Sequence, residues 1–182
     1  YNPTEMHKTN VQGSINVAEA SRSMGVKKVL LLSSDKAVAS INTYGGSKYQ
    51  AENCLRELNT YSAPQGTVIS CVRYGNVLAS TGSVLTIWSQ QKKDGKPLTL
   101  TDGSMTRFWM TPRQAVEHVF KSIDLMQGGE IFIPSLRSST VEDLARAFSP
   151  HTEIMEVGKR PGGEKPHEIL LNEDEQTRVI SQ

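Results

Sequence analysis

Helical and apolar segments alternate at the start of this chain, in an order that few folds accommodate. A helix is predicted to begin at Asn2 and Pro3, because Asn caps helices and Pro fits the first helical position. Apolar residues then recur at helical spacing until Gly25 ends the run. The apolar segment 27–33 follows at once and predicts a strand that is buried on both faces, as in a parallel sheet.

A second helix is predicted at residues 44–61 and a second strand at 67–73. This order indicates an α/β fold, in which right-handed helical crossovers join parallel strands. The pattern then becomes less regular, so we expect two domains: 1–77 with the sheet, and 78–182 as a smaller mixed α/β lobe. The lobe is predicted to have helices at residues 84–93, 112–126 and 140–148, extended segments at 98–101, 106–110, 130–134 and 153–157, and a frayed polar end from 172.

Composition excludes several classes of protein. The sequence has 20 Lys and Arg against 19 Asp and Glu, so its net charge of +1 gives no general attraction to nucleic acid or anionic membranes. The longest apolar run, Val29 to Leu32, is far too short for membrane insertion. Cys54 and Cys71 form no ligand cluster and suit a cytoplasmic protein better than a disulfide framework. The histidines lack metal-ligand spacing, so no metal is expected.

The strongest candidate for chemistry is the pair Tyr44 and Lys48 on the predicted second helix. Four residues apart, the phenol and the ammonium share a helical face, where the positive charge stabilises the phenolate and lowers the pKa of the tyrosine. Such a phenol can act as a general base or acid on an alcohol, and the nearby Ser34 hydroxyl can hold the same oxygen. Tyr and Lys also meet at this spacing by chance in many helices, so the pair alone leaves a structural role open.

Six stretches of the chain, taken in order, resemble one family. They are residues 2–5 with 8–13, 31–37, 41–48, 73–77, 105–109 and 160–165. Together they resemble the extended short-chain dehydrogenase/reductases, and more narrowly the group of inverting UDP-N-acetylglucosamine 4,6-dehydratases and capsular polysaccharide biosynthesis proteins. The resemblance implies a partial Rossmann-like fold, NADP or NAD as the cofactor, a UDP-sugar as the substrate and, for the full-length protein, a homo-oligomer.

The resemblance also implies catalytic roles for five residues. Tyr44 would take the proton from the sugar O4 while hydride leaves C4 for the nicotinamide, and Lys48 would bind the nicotinamide ribose and lower the tyrosine pKa. Ser34 stands where the group usually has Thr and would hydrogen-bond O4. Asp35 would protonate the departing C6 hydroxyl and Lys36 would remove the C5 proton, because loss of water needs an acid and a base. The alternative interpretation of Asp35 and Lys36 is a solvated loop pair.

Further residues would bind the cofactor and the substrate. By the same resemblance, Tyr74 would border the nicotinamide and Asn76 would lie by the substrate phosphates. Arg107 and Arg160 would hold the UDP diphosphate, a task that suits a planar, permanently charged guanidinium; for Arg107 the alternative is a surface position on an edge strand. Glu164 would bind the uridine ribose, although two glycines precede it where the group usually has one.

One expected element is missing from the sequence. No G-x-G-x-x-G or G-x-x-G-x-x-G turn occurs, although a dinucleotide-binding fold uses such a turn to receive the pyrophosphate. We therefore expect the C-terminal part of a longer enzyme, without the pyrophosphate site and with apolar faces exposed beside the strand at 27–33. Three hypotheses remain: a 4,6-dehydratase, a 4-epimerase or reductase of the same superfamily, and a non-catalytic piece. The resemblance also implies that Asn10 distorts the first helix and supports Lys48 through water.

Overall fold

The computed structural model describes residues 2–80, 82–158 and 163–181. Within them the helices are α1 Pro3–His7, α2 Gly13–Ser23, α3 Thr43–Ser62, α4 Val84–Lys93, α5 Pro112–Leu125, α6 Val141–Phe148 and α7 Glu173–Gln176. The strands are β1 Lys28–Leu32, β2 Val68–Val72, β3 Asn76–Val77, β4 Leu98–Leu100, β5 Thr106–Met110, β6 Ile131–Phe132, β7 Ser138–Thr140 and β8 Ile154–Glu156. A π-helical turn, Lys8–Gln12, joins α1 to α2.

The chain forms two compact units. Unit 1 comprises Tyr1–Tyr74, Glu117–Pro134 and Ile169–Gln182, and unit 2 comprises Gly75–Val116 and Ser135–Glu168. Unit 1 holds a parallel sheet in the order β1-β2-β6. Unit 2 holds the sheet β3-β5-β7 and the parallel pair β4-β8. The predicted α/β class with parallel strands is confirmed.

Parallel pairing in unit 1 brings two strand ends together. β1 and β2 pair in register from Lys28 opposite Val68 to Leu32 opposite Val72. The pairing extends one residue further, because the Ser33 N–H donates to the Val72 carbonyl at 2.7 Å. α3 packs on β2, and a core of Ala18, Leu55 and Ile69 joins α2, α3 and the sheet. The segments that follow β1 and β2 therefore start side by side at the carboxyl ends of the two strands.

The predicted burial of the first strand on both faces is wrong. Val29, Leu30 and Leu31 are only partly buried, and Leu32 is 46% exposed. The physical reason is position, because among the described residues β1 lies at the edge of its three-stranded sheet and pairs with β2 alone. β2, which has a strand on each side, buries its last four residues.

Unit 2 has its own apolar core. Trp88 of α4 is fully buried among residues of β4 and α6, and its indole N–H donates to the Thr99 carbonyl at 2.7 Å. The other buried members are Leu98, Leu100, Met105, Val141 and Ala145. Helices α4, α5 and α6 and the extended segments of residues 78–182 agree with the predicted positions to within a few residues, although most of α5 and all of β6 belong to unit 1. None of the helices in the described part of the chain combines the length and hydropathy needed to cross a lipid bilayer.

Arg73, which directly follows β2, is a fully buried charge in unit 1. Its guanidinium donates to both carboxylate oxygens of Glu52 on α3, at 2.9 and 2.7 Å, and to both carboxylate oxygens of Glu175 on α7, at 2.8 Å each. It also donates to the Leu170 carbonyl at 3.0 Å. Arg73 is 1% exposed, so this network supplies the partners that a buried charge needs.

The prediction of a frayed end from residue 172 is wrong where the chain forms helix α7. Asn172 and Glu175 form a reciprocal capping box that starts this short helix. Glu175 also pairs with Arg73, about a hundred positions earlier in the sequence. A polar composition alone indicates fraying, because the partner that orders this segment is remote in the sequence.

We predict that Glu52→Gln destabilises the chain by about 3–5 kcal/mol, because the substitution leaves the buried Arg73 charge only partly compensated. Glu57→Gln, at an exposed position of the same helix, is the matched control and is expected to change stability by less than about 0.5 kcal/mol. Urea unfolding followed by circular dichroism measures both. Equal unfolding midpoints for the two variants would show that the Arg73 network contributes little.

Candidate functional site

The loop after β1 gathers three of the predicted catalytic residues. Ser34 caps a short 3-10 turn, Asp35–Ala37, by accepting from the Lys36 N–H at 3.2 Å. One carboxylate oxygen of Asp35, Oδ1, accepts from the Ser34 hydroxyl at 2.8 Å and from Lys36 Nζ at 3.0 Å. The Asp35 N–H donates to the Tyr74 carbonyl at 3.0 Å, which ties this loop to the segment after β2.

Asp35 is the most enclosed group of this loop. It is 0% exposed, whereas the Lys36 side chain is 31% exposed. Its second carboxylate oxygen, Oδ2, is buried without a hydrogen bond to the described residues. An unsatisfied buried oxygen is costly and marks a position where a ligand hydroxyl would be stabilised. The alternative interpretation of Asp35 and Lys36 as a solvated loop pair is wrong for Asp35, because solvent does not reach its carboxyl group.

A close backbone approach sets this loop against the start of α3. Asn42 caps α3, and its side chain accepts from the Gly45 N–H at 2.9 Å. A Cβ atom at Gly45 would lie 2.2 Å from the Lys36 carbonyl oxygen and 2.8 Å from the Ser40 Cβ. Only glycine therefore permits this spacing, which brings the loop next to the first turn of the helix that carries Tyr44.

Tyr44 lies beside all three loop residues. Burial raises the pKa of Tyr44, while the charge of Lys36 and a hydrogen bond with Ser34 lower it and the charge of Asp35 raises it. The net effect is a raised pKa, because burial is the largest contribution. The expected lowering of the Tyr44 pKa is thus not found. The cation whose charge acts against this rise is Lys36, whereas Lys48 was expected in that role.

Lys48 lies one helical turn after Tyr44 on α3. Its amino group donates to the Leu32 carbonyl, at the end of β1, at 3.1 Å. Burial lowers the pKa of Lys48, and the negative charge of Glu52 opposes this. The arrangement leaves further donors of the ammonium group available, since an ammonium carries three.

Asn10 lies in the π-helical turn, so the expected helix distortion is present at this position. Its amide donates to the Ser47 hydroxyl at 2.9 Å, and that hydroxyl donates to the Tyr44 carbonyl at 2.8 Å. The support that Asn10 gives to α3 thus passes through Ser47. Sequence reasoning missed Ser47, and the only signal available was its place next to Lys48.

The remaining predicted site residues divide between the units. Tyr74 is in unit 1, where burial raises the pKa of its phenol. Unit 2 contains Asn76, Arg107 and Glu164. Arg160 lies outside the described residues.

The alternative interpretation placed Arg107 at the surface, and the structure shows that this is wrong. Arg107 is 4% exposed and donates to Glu164 at 2.9 Å and to the carbonyls of Thr106 and Pro166 at 2.8 and 3.1 Å. The structure therefore joins these two predicted ligand-binding residues as an ion pair within unit 2.

The sequence matches the Polysaccharide biosynthesis protein family over residues 1–182, and the chain belongs to this family. It is 40% identical over 176 residues to the UDP-N-acetylglucosamine 4,6-dehydratase (inverting) of Campylobacter jejuni, covering 96% of this chain and 52% of that protein. It is also 40% identical over 181 residues to a UDP-glucose 4-epimerase of Rickettsia massiliae, covering 97% of this chain and 53% of the relative. The chain thus spans about half the length of these curated relatives.

Solved structures agree with the fold. The X-ray structure of Pen from Bacillus thuringiensis superposes with a TM-score of 0.92 at 34% identity, covering 97% of this chain and 57% of that one. DesIV, a dTDP-glucose 4,6-dehydratase from Streptomyces venezuelae solved with NAD bound, superposes with a TM-score of 0.79 at 18% identity, covering 94% and 59%. The second likeness concerns the fold alone.

Gly45 and Gly46 offer a matched pair of substitutions in the first turn of α3. We predict that Gly45→Ala destabilises the chain by about 1–3 kcal/mol or more, because its methyl group meets the Lys36 backbone. Gly46→Ala meets only the Ser40 hydroxyl at 3.9 Å and is expected to be neutral or stabilising by up to about 1 kcal/mol. Thermal unfolding compares the two, and equal effects would contradict the close approach.

Proposed function

We propose that a full-length protein carrying this chain is an NADP- or NAD-dependent 4,6-dehydratase of UDP-N-acetylglucosamine. The observation that carries the proposal is the Asp35–Lys36 pair beside Tyr44, because oxidation at C4 needs only the tyrosine whereas loss of water needs an additional acid and base. The 40% identity to the Campylobacter jejuni dehydratase supports it. Such an activity would serve bacterial surface polysaccharide or glycan synthesis.

The residues present fit the nicotinamide half of the cofactor. Lys48 is half-buried and donates one hydrogen bond to the Leu32 carbonyl. Its ammonium group has further N–H donors, so it can also bind ribose hydroxyls beside Tyr44. Tyr74 would border the ring. Bound there, the nicotinamide would accept a hydride and later return it within one turnover. The sequence has no Gly-rich turn for the pyrophosphate, so cofactor binding is proposed for the full-length protein.

Oxidation at C4 would use Tyr44 as the general base. Its phenolate takes the proton of the O4 hydroxyl as the C4 hydride leaves, and Ser34 donates a hydrogen bond to the same oxygen. The raised pKa of Tyr44 means that the phenolate needs a nearby positive charge to form near neutral pH. The charge of Lys36 already acts on the phenol, so Lys48 would supply the additional charge.

Elimination would use Asp35 and Lys36. The 4-ketone makes the C5 proton acidic; a neutral Lys36 amine removes it, and a protonated Asp35 gives its proton to the departing C6 hydroxyl, which leaves as water. The 3.0 Å contact between Lys36 Nζ and Asp35 Oδ1 supports this, because it places the base and the acid side by side; the proton that Asp35 gives would be carried on its other oxygen, Oδ2. Asp35 Oδ2, which has no hydrogen bond within the described residues, is the oxygen that would face the C6 hydroxyl.

The nucleotide would be held by Asn76, Arg107, Arg160 and Glu164. Arg107 and Arg160 would bind the diphosphate, Asn76 would lie beside it, and Glu164 would accept hydrogen bonds from the ribose. The ion pair between Arg107 and Glu164 means that both groups would have to share their hydrogen bonds with the ligand.

The second candidate is a 4-epimerase. Its support is the 40% identity to the Rickettsia massiliae UDP-glucose 4-epimerase, which equals the identity to the Campylobacter jejuni dehydratase. An epimerase needs Tyr44 and Lys48 but no elimination pair, so the two candidates differ in what Lys36 does.

We predict that the full-length protein converts UDP-N-acetylglucosamine into a product lighter by one water, and that Lys36→Met lowers this rate at least about 100-fold because the base is lost. Mass spectrometry of the sugar nucleotide measures the product. Lys27→Met, which removes an exposed lysine at the far end of β1, is the control and is expected to keep the activity. A product of unchanged mass with inverted C4, formed equally by both variants, would favour the epimerase.

A further inference from the structure

A short segment of unit 2, residues 164–168, lies against the start of β5. The Thr106 N–H donates to the Pro166 carbonyl at 2.9 Å, and Thr106 also pairs with His167 as an isolated parallel bridge. The Thr106 hydroxyl is 2.9 Å from His167 Nδ1. The segment therefore adds to β5 like a very short parallel strand. We call residues 164–168 the strap.

The strap supplies two of the groups that bind the Arg107 guanidinium. Nη1 donates to the Pro166 carbonyl at 3.1 Å, and Nη2 donates to Glu164 Oε1 at 2.9 Å. The other two acceptors, the Thr106 carbonyl and the Met105 sulfur, lie at the start of β5 or directly before it. The position of the guanidinium therefore depends on where the strap lies.

A buried ion pair joins two residues of the strap. Lys165 Nζ lies 2.7 Å from Glu168 Oε2, and the two side chains are 12% and 4% exposed. Exposed ion pairs contribute little to stability, whereas loss of one partner of a buried pair leaves a charge without compensation. Glu168 Oε2 accepts no hydrogen bond within the described residues, so its contact with Lys165 compensates its charge.

This ion pair spans the two residues that contact β5. Pro166 and His167 lie between Lys165 and Glu168 in the sequence. None of the helices and strands in the described part of the chain includes the strap, and Pro166 has no N–H to donate. The ion pair therefore supplies a constraint that regular backbone hydrogen bonds provide elsewhere.

We propose that Lys165 and Glu168 are positioning residues, whose ion pair keeps the strap against β5 and thereby places Glu164 and Arg107 for the nucleotide. The task given to Glu164 and Arg107 rests on the proposed function, whereas the contact of the strap with β5 does not depend on it. Neither Lys165 nor Glu168 is required to touch the ligand.

Hydrogen exchange of the Thr106 amide tests the contact of the strap with β5, because the Pro166 carbonyl protects this N–H. Exchange is followed by NMR in the full-length protein carrying Lys165→Met, which keeps an apolar side chain of similar length and removes the charge. The Thr106 amide is expected to exchange at least about tenfold faster than in the unaltered protein. The Trp109 amide of the same strand, which donates to the Arg137 carbonyl, is expected to keep its rate. An unchanged Thr106 rate, or an equal rise at both amides, would overturn the proposal.

Two control variants accompany Lys165→Met. Lys165→Arg keeps the charge and is expected to leave the Thr106 amide protected. Lys93→Met removes an exposed lysine at the end of α4, in the same unit, and is expected to change neither rate.

A second variant decides the matter if Lys165→Met does not fold. Glu168→Gln removes the opposite charge and keeps the size of the side chain. The same rise is expected at the Thr106 amide alone, and an unchanged rate in Glu168→Gln would overturn the proposal.

Nucleotide binding separates this proposal from the proposed function. In Lys165→Met, the affinity for UDP, measured by calorimetry, is expected to fall at least about tenfold, and KM for UDP-N-acetylglucosamine to rise by a similar factor. The expected change in kcat is less than about threefold, because Tyr44 and the Asp35–Lys36 pair lie in unit 1. A purely structural role would instead reduce the amount of active protein, which lowers kcat and leaves KM unchanged.

The two proposals can fail separately. If the Thr106 rate rises in Lys165→Met but the unaltered full-length protein binds no UDP, the proposed function fails and the contact of the strap with β5 stands. If UDP binds the unaltered protein and Lys165→Met equally tightly, the positioning role fails alone.

Discussion

The parallel pairing of β1 with β2 determines where every group of the candidate site in unit 1 lies. In register, the two strands end side by side at Leu32 and Val72, so the Ser34–Lys36 loop and the Tyr74 segment leave the sheet together. The hydrogen bond from the Asp35 N–H to the Tyr74 carbonyl depends on this register. A shift of one residue would turn every side chain of β1 to the other face and carry the loop away from Tyr44.

Buried charge is the second constraint. Asp35 and Arg73 are both inaccessible to solvent, and each has an oppositely charged partner: Lys36 in the same turn for Asp35, and Glu52 on α3 for Arg73. The two arrangements differ in completeness, because Arg73 is bound on both sides by carboxylates whereas Asp35 keeps one oxygen without a partner in the described residues. Saturated networks fix structure, and an unsatisfied buried group indicates a place for a ligand. This difference agrees with a stabilising role for Arg73 and with the catalytic role proposed for Asp35.

The sequence was sufficient to predict elements with strong local signals. The helix that carries Tyr44 and Lys48 has an Asn cap and a long periodic pattern, and it was predicted within a residue or two of α3. Features that depend on remote partners were not predictable in this way. The order of α7 depends on Arg73, the exposure of Leu32 depends on the edge position of β1, and the direction of the Tyr44 pKa depends on burial that spacing does not reveal. Gly45 was visible in the motif, but its clash with the Lys36 carbonyl appears only when the loop is folded back onto α3.

The central claim is that Lys36 breaks the C5–H bond of the sugar, and solvent deuterium tests it most directly. The full-length protein is incubated with UDP-N-acetylglucosamine in D2O, and the recovered sugar nucleotide is analysed by NMR at C5. The account predicts deuterium at C5, because the proton that Lys36 removes exchanges with solvent before C5 is protonated again. A converted sugar that retains its original hydrogen at C5 would contradict the account, since oxidation and reduction at C4 leave that bond intact.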